Sequence, residues 1–239
     1  MLSTKNILQF LTELSRNNNR EWFQENKAWY DRARTEFDQM VATLITEIAK
    51  FDEEIKFLSP KECTFRIYRD IRFSPNKIPY KTHFGAYIAA NGGRKSPRGG
   101  YYLHLEPGGS FLSVGVWMPE PNVLKALRQS VYDNIDELSE IRSNPEFARY
   151  YTKFYDEDAL KKIPQGFPKD FPEADLLKLK HYLVDYSLND EFLSSNNFIS
   201  KVLAAFKAGY SFNRFFNYTV DEQVKPPLTP PKGEDFGKC

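Results

Sequence analysis

The sequence predicts an α+β fold, with an antiparallel meander sheet of about four or five strands packed against N-terminal and C-terminal helices. Three observations carry that expectation. Apolar residues recur at helical spacing as far as Phe51. From Thr64 to Met118 the pattern changes to alternation, in short runs divided by glycine- and proline-rich turns. Beyond Pro121 helical spacing returns. At 239 residues the chain can bury one sizeable core. No repeat or clear linker divides it, so the expectation is one α+β domain over 1–224, followed by a proline-rich tail at 225–239. Within it lie helices at 4–51, a sheet at 64–118 and a helical part at 122–224.

Ser3 is placed to cap a first helix with Ile7, Leu8, Leu11 and Leu14 on one stripe. Asn17, Asn18 and Asn19 end it, because asparagine tolerates the left-handed backbone at a helix exit. A short helical turn over 20–26 precedes a long helix from about Lys27 to Phe51. Its apolar face carries Tyr30, Phe37, Val41, Leu44, Ile45 and Ile48. Trp22, Phe23 and Trp29 are expected in the core beneath it. Strands follow at 64–73, 82–90, 101–106 and 111–118, joined by SPNKIPYK, NGGRKSPRGG and PGGS. The middle connection, with Arg94, Lys95 and Arg98, reads as a mobile solvated loop. Pro119 and Pro121 stop the last strand. Helical pieces then run through Val123, Leu127 and Val131 toward Ile141, and from Asn144 through Phe154. An irregular stretch, 163–172, leads to a strand at 181–188 and to closing helices through Phe192, Ile199, Val202 and Phe206.

The formal net charge is +1, so no global field draws the chain to nucleic acid or anionic lipid; anion binding must come from a local cluster. Two distant cysteines, Cys63 and Cys239, make neither a disulfide framework nor a zinc spacing. No apolar run approaches the ~20 residues of a membrane span, and the first residues lack the pattern of a signal peptide. A soluble cytoplasmic protein is expected, with no membrane partner.

The most distinctive stretch is RIYRDIRFSPNKIPY, residues 66–80, which gathers Arg66, Arg69, Arg72, Lys77 and the following Lys81 around Asp70. It resembles the signature R-x-x-R-D-x-R-F-x-x-[DN]-K-x-x-Y of a bacterial family called domain of unknown function 2461. Arg66, Arg69, Asp70, Arg72, Phe73, Asn76, Lys77 and Tyr80 all fit. NNNREWFQENK near the N-terminus and GVWMPEP after the meander are also similar to family members. The family's activity is unassigned, so the resemblance implies membership without catalytic roles.

Read as a strand, this stretch turns Phe65, Ile67, Ile71 and Phe73 to one side and Arg66, Tyr68, Asp70 and Arg72 to the other. Arg69 falls on the apolar side and needs a carboxylate, carbonyls or an anion. Tight turns would set Tyr87 near His104, Gly85 near Glu106, His104 near Ser113 and Tyr102 near Gly115. One face would then collect Arg66, Tyr68, Asp70, Arg72, His83, Tyr87, Tyr102, His104, Glu106, Ser113 and Trp117. Gly85, Ala89 and Gly115 would leave space above them, a pocket floor. The other face, with Phe73, Phe84, Ile88, Leu103, Leu105, Leu112, Val114, Val116 and Met118, would be core.

Three functional readings follow. In the first, a small phosphorylated or carboxylated ligand is held by Arg66, Arg69, Arg72, Lys77, Tyr80, Lys81, Tyr68 and Tyr87. Asp70, His83, His104 and Glu106 would supply any acid–base chemistry of hydrolase or transferase type. For a single histidine, a ring bonded to a backbone carbonyl is the plainer reading. A second reading is a nucleic-acid module that stacks bases on Tyr68, Tyr87 and Tyr102. Asp70, Glu106 and the balanced charge argue against it. A third is an interaction module whose polar face is covered by the N-terminal helices, with Arg20, Glu21 and Trp22 docked into a salt network. No metal is expected, because His83, His104, Glu106 and Asp70 match no recognised ligand spacing and arginines stand nearby. Nothing in the sequence names a cofactor, and whether the protein is an enzyme stays open.

Overall fold

The computed structural model describes residues 3–224, so the proline-rich tail lies outside the described residues. Helices α1 (Lys5–Arg16), α2 (Arg20–Glu25) and α3 (Lys27–Ile48) open the chain, followed by the short α4 (Pro60–Cys63). Each of the three asparagines between α1 and α2 has separate work. Asn17 is the C-cap of α1, and the Asn19 side chain accepts the Trp22 N–H at the start of α2. Asn18 reaches across to Tyr80, donating to its carbonyl at 3.0 Å and accepting its N–H at 3.1 Å. The residue before α1 is Thr4 rather than Ser3, and its buried hydroxyl donates to the Leu193 carbonyl at 2.8 Å.

The sheet consists of β1 (Phe84–Ile88), β2 (Gly100–Leu105), β3 (Phe111–Val116) and β4 (Tyr182–Ser187) in that spatial order, antiparallel throughout. Between β3 and β4 run α5 (Pro121–Asp133), α6 (Ile135–Ser143), α7 (Pro145–Ala148) and α8 (Ala174–Leu177). After β4 come α9 (Asp190–Ser194), α10 (Phe198–Ala208) and α11 (Tyr210–Val224). The meander and the strand near 181–188 are as expected. Phe84 packs on Phe10 and Phe37, Tyr101 on Phe206, and Tyr182 on Phe216, so α1, α3, α10 and α11 cover the apolar face. Gly209 brings the α10–α11 corner against Val114, where a Cβ would lie 2.8 Å from both valine methyl groups. The N-terminal helices therefore do not lie over the polar face, and Glu21 forms no ion pair with Arg66 or Arg72 among the described residues. Phe23 is fully buried, whereas Trp22 and Trp29 pack at the edge of the core.

Three further expectations are corrected. First, 64–73 is not a strand; it makes only isolated bridges, Thr64 with Ala86 and Tyr68 with Tyr80. Its backbone pairs within its own irregular hairpin, Arg69 N–H to Pro79 O and Lys81 N–H to Ile67 O, and Pro75 and Pro79 have no N–H to extend a ladder. Phe73 is consequently 94% exposed rather than core. Second, both meander registers differ by two residues from those of tight hairpins: Tyr87 pairs with Tyr102, Gly85 with His104, His104 with Phe111 and Tyr102 with Ser113. An even shift preserves the faces, because strand periodicity is two. Met118 leaves the expected core face, at a positive φ of 46° and 67% exposed.

Third, the connection at 91–100 is pinned. Arg94 donates to the Lys61 and Glu62 carbonyls. Gly93, at φ 58°, lies so close to Glu62 O that a Cβ would sit 2.6 Å away. Arg98 is 3% exposed and pairs with Glu54 at 2.8 Å and Asp221 at 3.2 Å. Asn217 bonds both backbone groups of Gly99, and Asn213 donates to the Gly100 carbonyl. These partners in α11 hold the loop from beneath, so Arg94 and Arg98 are committed to the fold.

Candidate functional site

The polar cluster grows out of β2. Tyr102, His104 and Glu106 stand two residues apart, hence on one side of the sheet. Continuing the register one pair beyond Phe84–Leu105 sets His83 across from Glu106. Gly85, opposite His104, has no side chain to obstruct Tyr102; a Cβ there would lie 2.7 Å from the tyrosine hydroxyl. That hydroxyl reaches His104 Nδ1 at 3.0 Å. His104 Nε2 lies 3.1 Å from Glu106 Oε2, and Thr82 Oγ1 donates to Glu106 Oε1 at 2.5 Å. The His104 ring stacks on Phe111 at 4.6 Å and meets the His83 ring at 4.2 Å, tilted by 32°. His104 is 8% exposed, while His83, Thr82 and Glu106 are half-buried and face outward.

Burial drives the electrostatics. It pushes His83 down to about 4, with the neighbouring His104 adding to the effect. Burial also lowers His104, against the opposing pull of Glu106. For Glu106 burial acts upward, but hydrogen bonds from Thr82 and His104 outweigh it and hold the carboxyl below its ordinary value. Tyr102 is raised to about 12 by burial. At neutral pH the cluster is therefore two neutral imidazoles and one carboxylate. Such a set can accept a proton or ligate a cation. The donor atoms of His83, His104 and Glu106 all lie within 4.8 Å of one another, although their spacing in sequence matches no ligand motif.

Beside the cluster stands Lys81, half-buried, its ammonium 5.4 Å from the Phe65 ring. Burial lowers its pKa and the charge of Arg66 lowers it further. Neither Lys81 nor Arg66 has a carboxylate or carbonyl partner among the described residues. Phe65 packs edge-on against Tyr102 at 6.3 Å, joining this corner to the sheet face.

The remainder of the 66–80 stretch is a loop braced by its own side chains. Arg72 grips Asp70 through two bonds, 3.0 and 2.7 Å, on the exposed surface, which holds the Asp70 carboxyl below its ordinary range. Arg69, the oddity of the sequence, donates to the Ile78 carbonyl at 3.2 Å, and Lys77 donates to Ile71 O at 3.1 Å. Tyr80 is buried and stacks on Phe23 at 4.0 Å. Tyr68 leans on Phe23 and Tyr80 rather than on the sheet. Asp70 and Arg72 are thus partners of each other, with no contact to either imidazole.

The expected space above the glycines is taken by tyrosines. Tyr102 occupies the notch at Gly85, and the Tyr87 hydroxyl lies 2.6 Å from Arg98 O and 3.0 Å from Gly115 O. Tyr87 is therefore spent on the fold. Thr82 is a site residue that the sequence reading did not select, and Tyr102, read there as part of a base-stacking platform, instead holds His104. The signal for Tyr102 was the alternation of YYLHLE, residues 101–106, around His104, whereas Thr82 lies before β1 and only the observed pairing brings it to Glu106. The third histidine, His181, accepts the Met118 N–H at Nδ1 and meets Asp158 at Nε2, 3.1 Å, under a stacked Trp117. Both its nitrogens are satisfied in bracing the end of β3. Other clefts, between α1 and Leu193 and around Phe147, contain no imidazole.

No curated protein and no solved structure matches the chain. The model of one family does match, over residues 6–215, and that family is described as a conserved hypothetical protein, DUF2461. The match spans the N-terminal helices, the 66–80 loop, the sheet with its histidine cluster, and the start of α11. The chain belongs to the DUF2461 family.

Proposed function

We propose that the protein binds a small phosphorylated or carboxylated molecule at the sheet corner where Arg66 and Lys81 adjoin the His83–His104–Glu106 cluster. The observation that carries this reading is the pair of adjacent cations without a protein acceptor, one of them half-buried. A half-buried ammonium next to a guanidinium is less favourable than either cation alone, and an anion between them relieves the repulsion. Of the arginines in the signature loop, Arg69 and Arg72 are already engaged, which singles out Arg66. A bound anion would have His83, His104 and Glu106 as its nearest proton-handling groups, so any acid–base step falls to them. Asp70 is outside that set.

Thermal melting with inorganic phosphate, a sugar phosphate and a dicarboxylate tests the proposal. A ligand that binds only the folded chain raises the midpoint by mass action. The Arg66→Ala/Lys81→Ala double variant should lose that rise, and Arg72→Ala should keep it. No rise with any of these anions, or a rise that survives the double variant, overturns the reading.

A further inference from the structure

We infer that His83, His104 and Glu106 form a binding site for one divalent transition-metal ion of the zinc class. Three features converge on it. The donor atoms of all three side chains fall within 4.8 Å of one another, His83 just before β1, His104 in β2 and Glu106 just after it. His104 Nε2 and Glu106 Oε2 are 3.1 Å apart. Two atoms each about 2.1 Å from a shared ion, at angles of roughly 90–110°, are separated by ~3.0–3.4 Å. The third feature is His83. Its ring lies 4.2 Å from that of His104, tilted to it, yet no group among the described residues hydrogen-bonds either of its ring nitrogens. A merely structural His104–Glu106 pair leaves that half-buried ring without a role; an ion gives it one.

The surroundings are those of a ligand set. The Tyr102 hydroxyl takes His104 Nδ1 and so reserves Nε2 for the metal, and Thr82 holds one Glu106 oxygen while the other faces the imidazoles. Such outer bonds set ring orientation and tautomer in metal centres. Two nitrogens and one carboxylate oxygen suit zinc, ferrous or cobaltous ions, whereas magnesium and calcium prefer all-oxygen sets. Three protein ligands would leave a coordination position open to water or an anion. Binding shifts the single proton of the neutral His104 ring from Nε2, where it faces Glu106, to Nδ1, which then donates to the Tyr102 hydroxyl oxygen, so no net proton is released near neutral pH.

The test uses the full chain carrying Cys239→Ser, stripped with chelator, and titrated with Zn²⁺ by calorimetry and with Co²⁺ by visible absorption. Uptake of one ion per chain is expected, with ligand-field bands for Co²⁺ and a rise in melting temperature. Glu106→Gln and His83→Ala should each weaken Zn²⁺ binding by more than about tenfold, and Tyr102→Phe by a smaller factor. Glu106→Gln keeps the side-chain shape, so it carries the test if an imidazole variant fails to fold. Absence of one-to-one uptake by the parent chain, or uptake unaltered by Glu106→Gln and His83→Ala, overturns the inference. Arg66→Ala/Lys81→Ala should leave Zn²⁺ affinity within a few-fold, so failure of the metal site and failure of the anion site are read separately.

Discussion

At the scale of single residues, the cluster depends on one absent side chain. Gly85 faces His104 across β1 and β2, and a methyl group there would meet the Tyr102 hydroxyl at 2.7 Å. Gly85→Ala should therefore displace Tyr102, release His104 Nδ1 and cost about 1–3 kcal/mol of stability, measurable by urea denaturation. A second residue-scale prediction concerns Glu54. Its carboxyl is held below the ordinary value first by the Arg98 hydrogen bond, with Arg214 adding to it. A depressed carboxyl contributes stability above its unfolded pKa and loses it as pH falls through the folded value. The advantage of the parent chain over Glu54→Gln should be constant near neutral pH and shrink progressively below about pH 4.5. Melting curves collected down to acid pH check it; an advantage that grows on acidification contradicts the assignment.

Elements explain why the signature stretch looked like a strand and is not one. Alternation survives in Arg66, Tyr68, Asp70 and Arg72, but Arg69, Asp70, Arg72 and Lys77 find partners inside the loop, and its backbone folds onto Ile67, Pro79 and Lys81. What anchors the loop to the body is Asn18, through both backbone groups of Tyr80, and the stack of Tyr80 on Phe23. Asn18→Ala removes two hydrogen bonds at a half-buried point and should cost about 1–2 kcal/mol. Because the loss is local, hydrogen exchange should quicken chiefly in 66–80, with the sheet amides protected as before. Uniform acceleration across β1–β4 would show instead that the clamp supports the whole fold.

On the scale of the molecule, one buried core extends from Ile7 in α1 to Val220 in α11, and the sheet joins it through the face that α1, α3, α10 and α11 cover. That asymmetry leaves the opposite side to carry the histidines. The corner between α10 and α11 is where the core has least tolerance. Gly209→Val should overpack Val114 and destabilise the chain by about 1–3 kcal/mol, seen as a lowered urea midpoint with an unchanged slope. No helix among the described residues is long and apolar enough to cross a membrane.

Much of this arrangement was legible in the chain. Helical and alternating periodicities identify the N-terminal helices, the meander and its two faces, because those patterns are imposed by backbone geometry and burial. The same patterns place His83, His104 and Glu106 on one face even when the register is off by two, since an even shift returns every side chain to its side. Tertiary structure alone decided which of the charged residues are free. Arg98 and Arg94 read as loop cations but are held by Glu54, Asp221 and the α4 carbonyls, partners distant in sequence. Asp70 and Arg72 read as site residues but neutralise each other, leaving Arg66 and Lys81 beside two imidazoles and Glu106. Periodicity is a property of neighbours along the chain, whereas the pairing of a charge is settled by whatever the completed fold brings within about 3–4 Å of it.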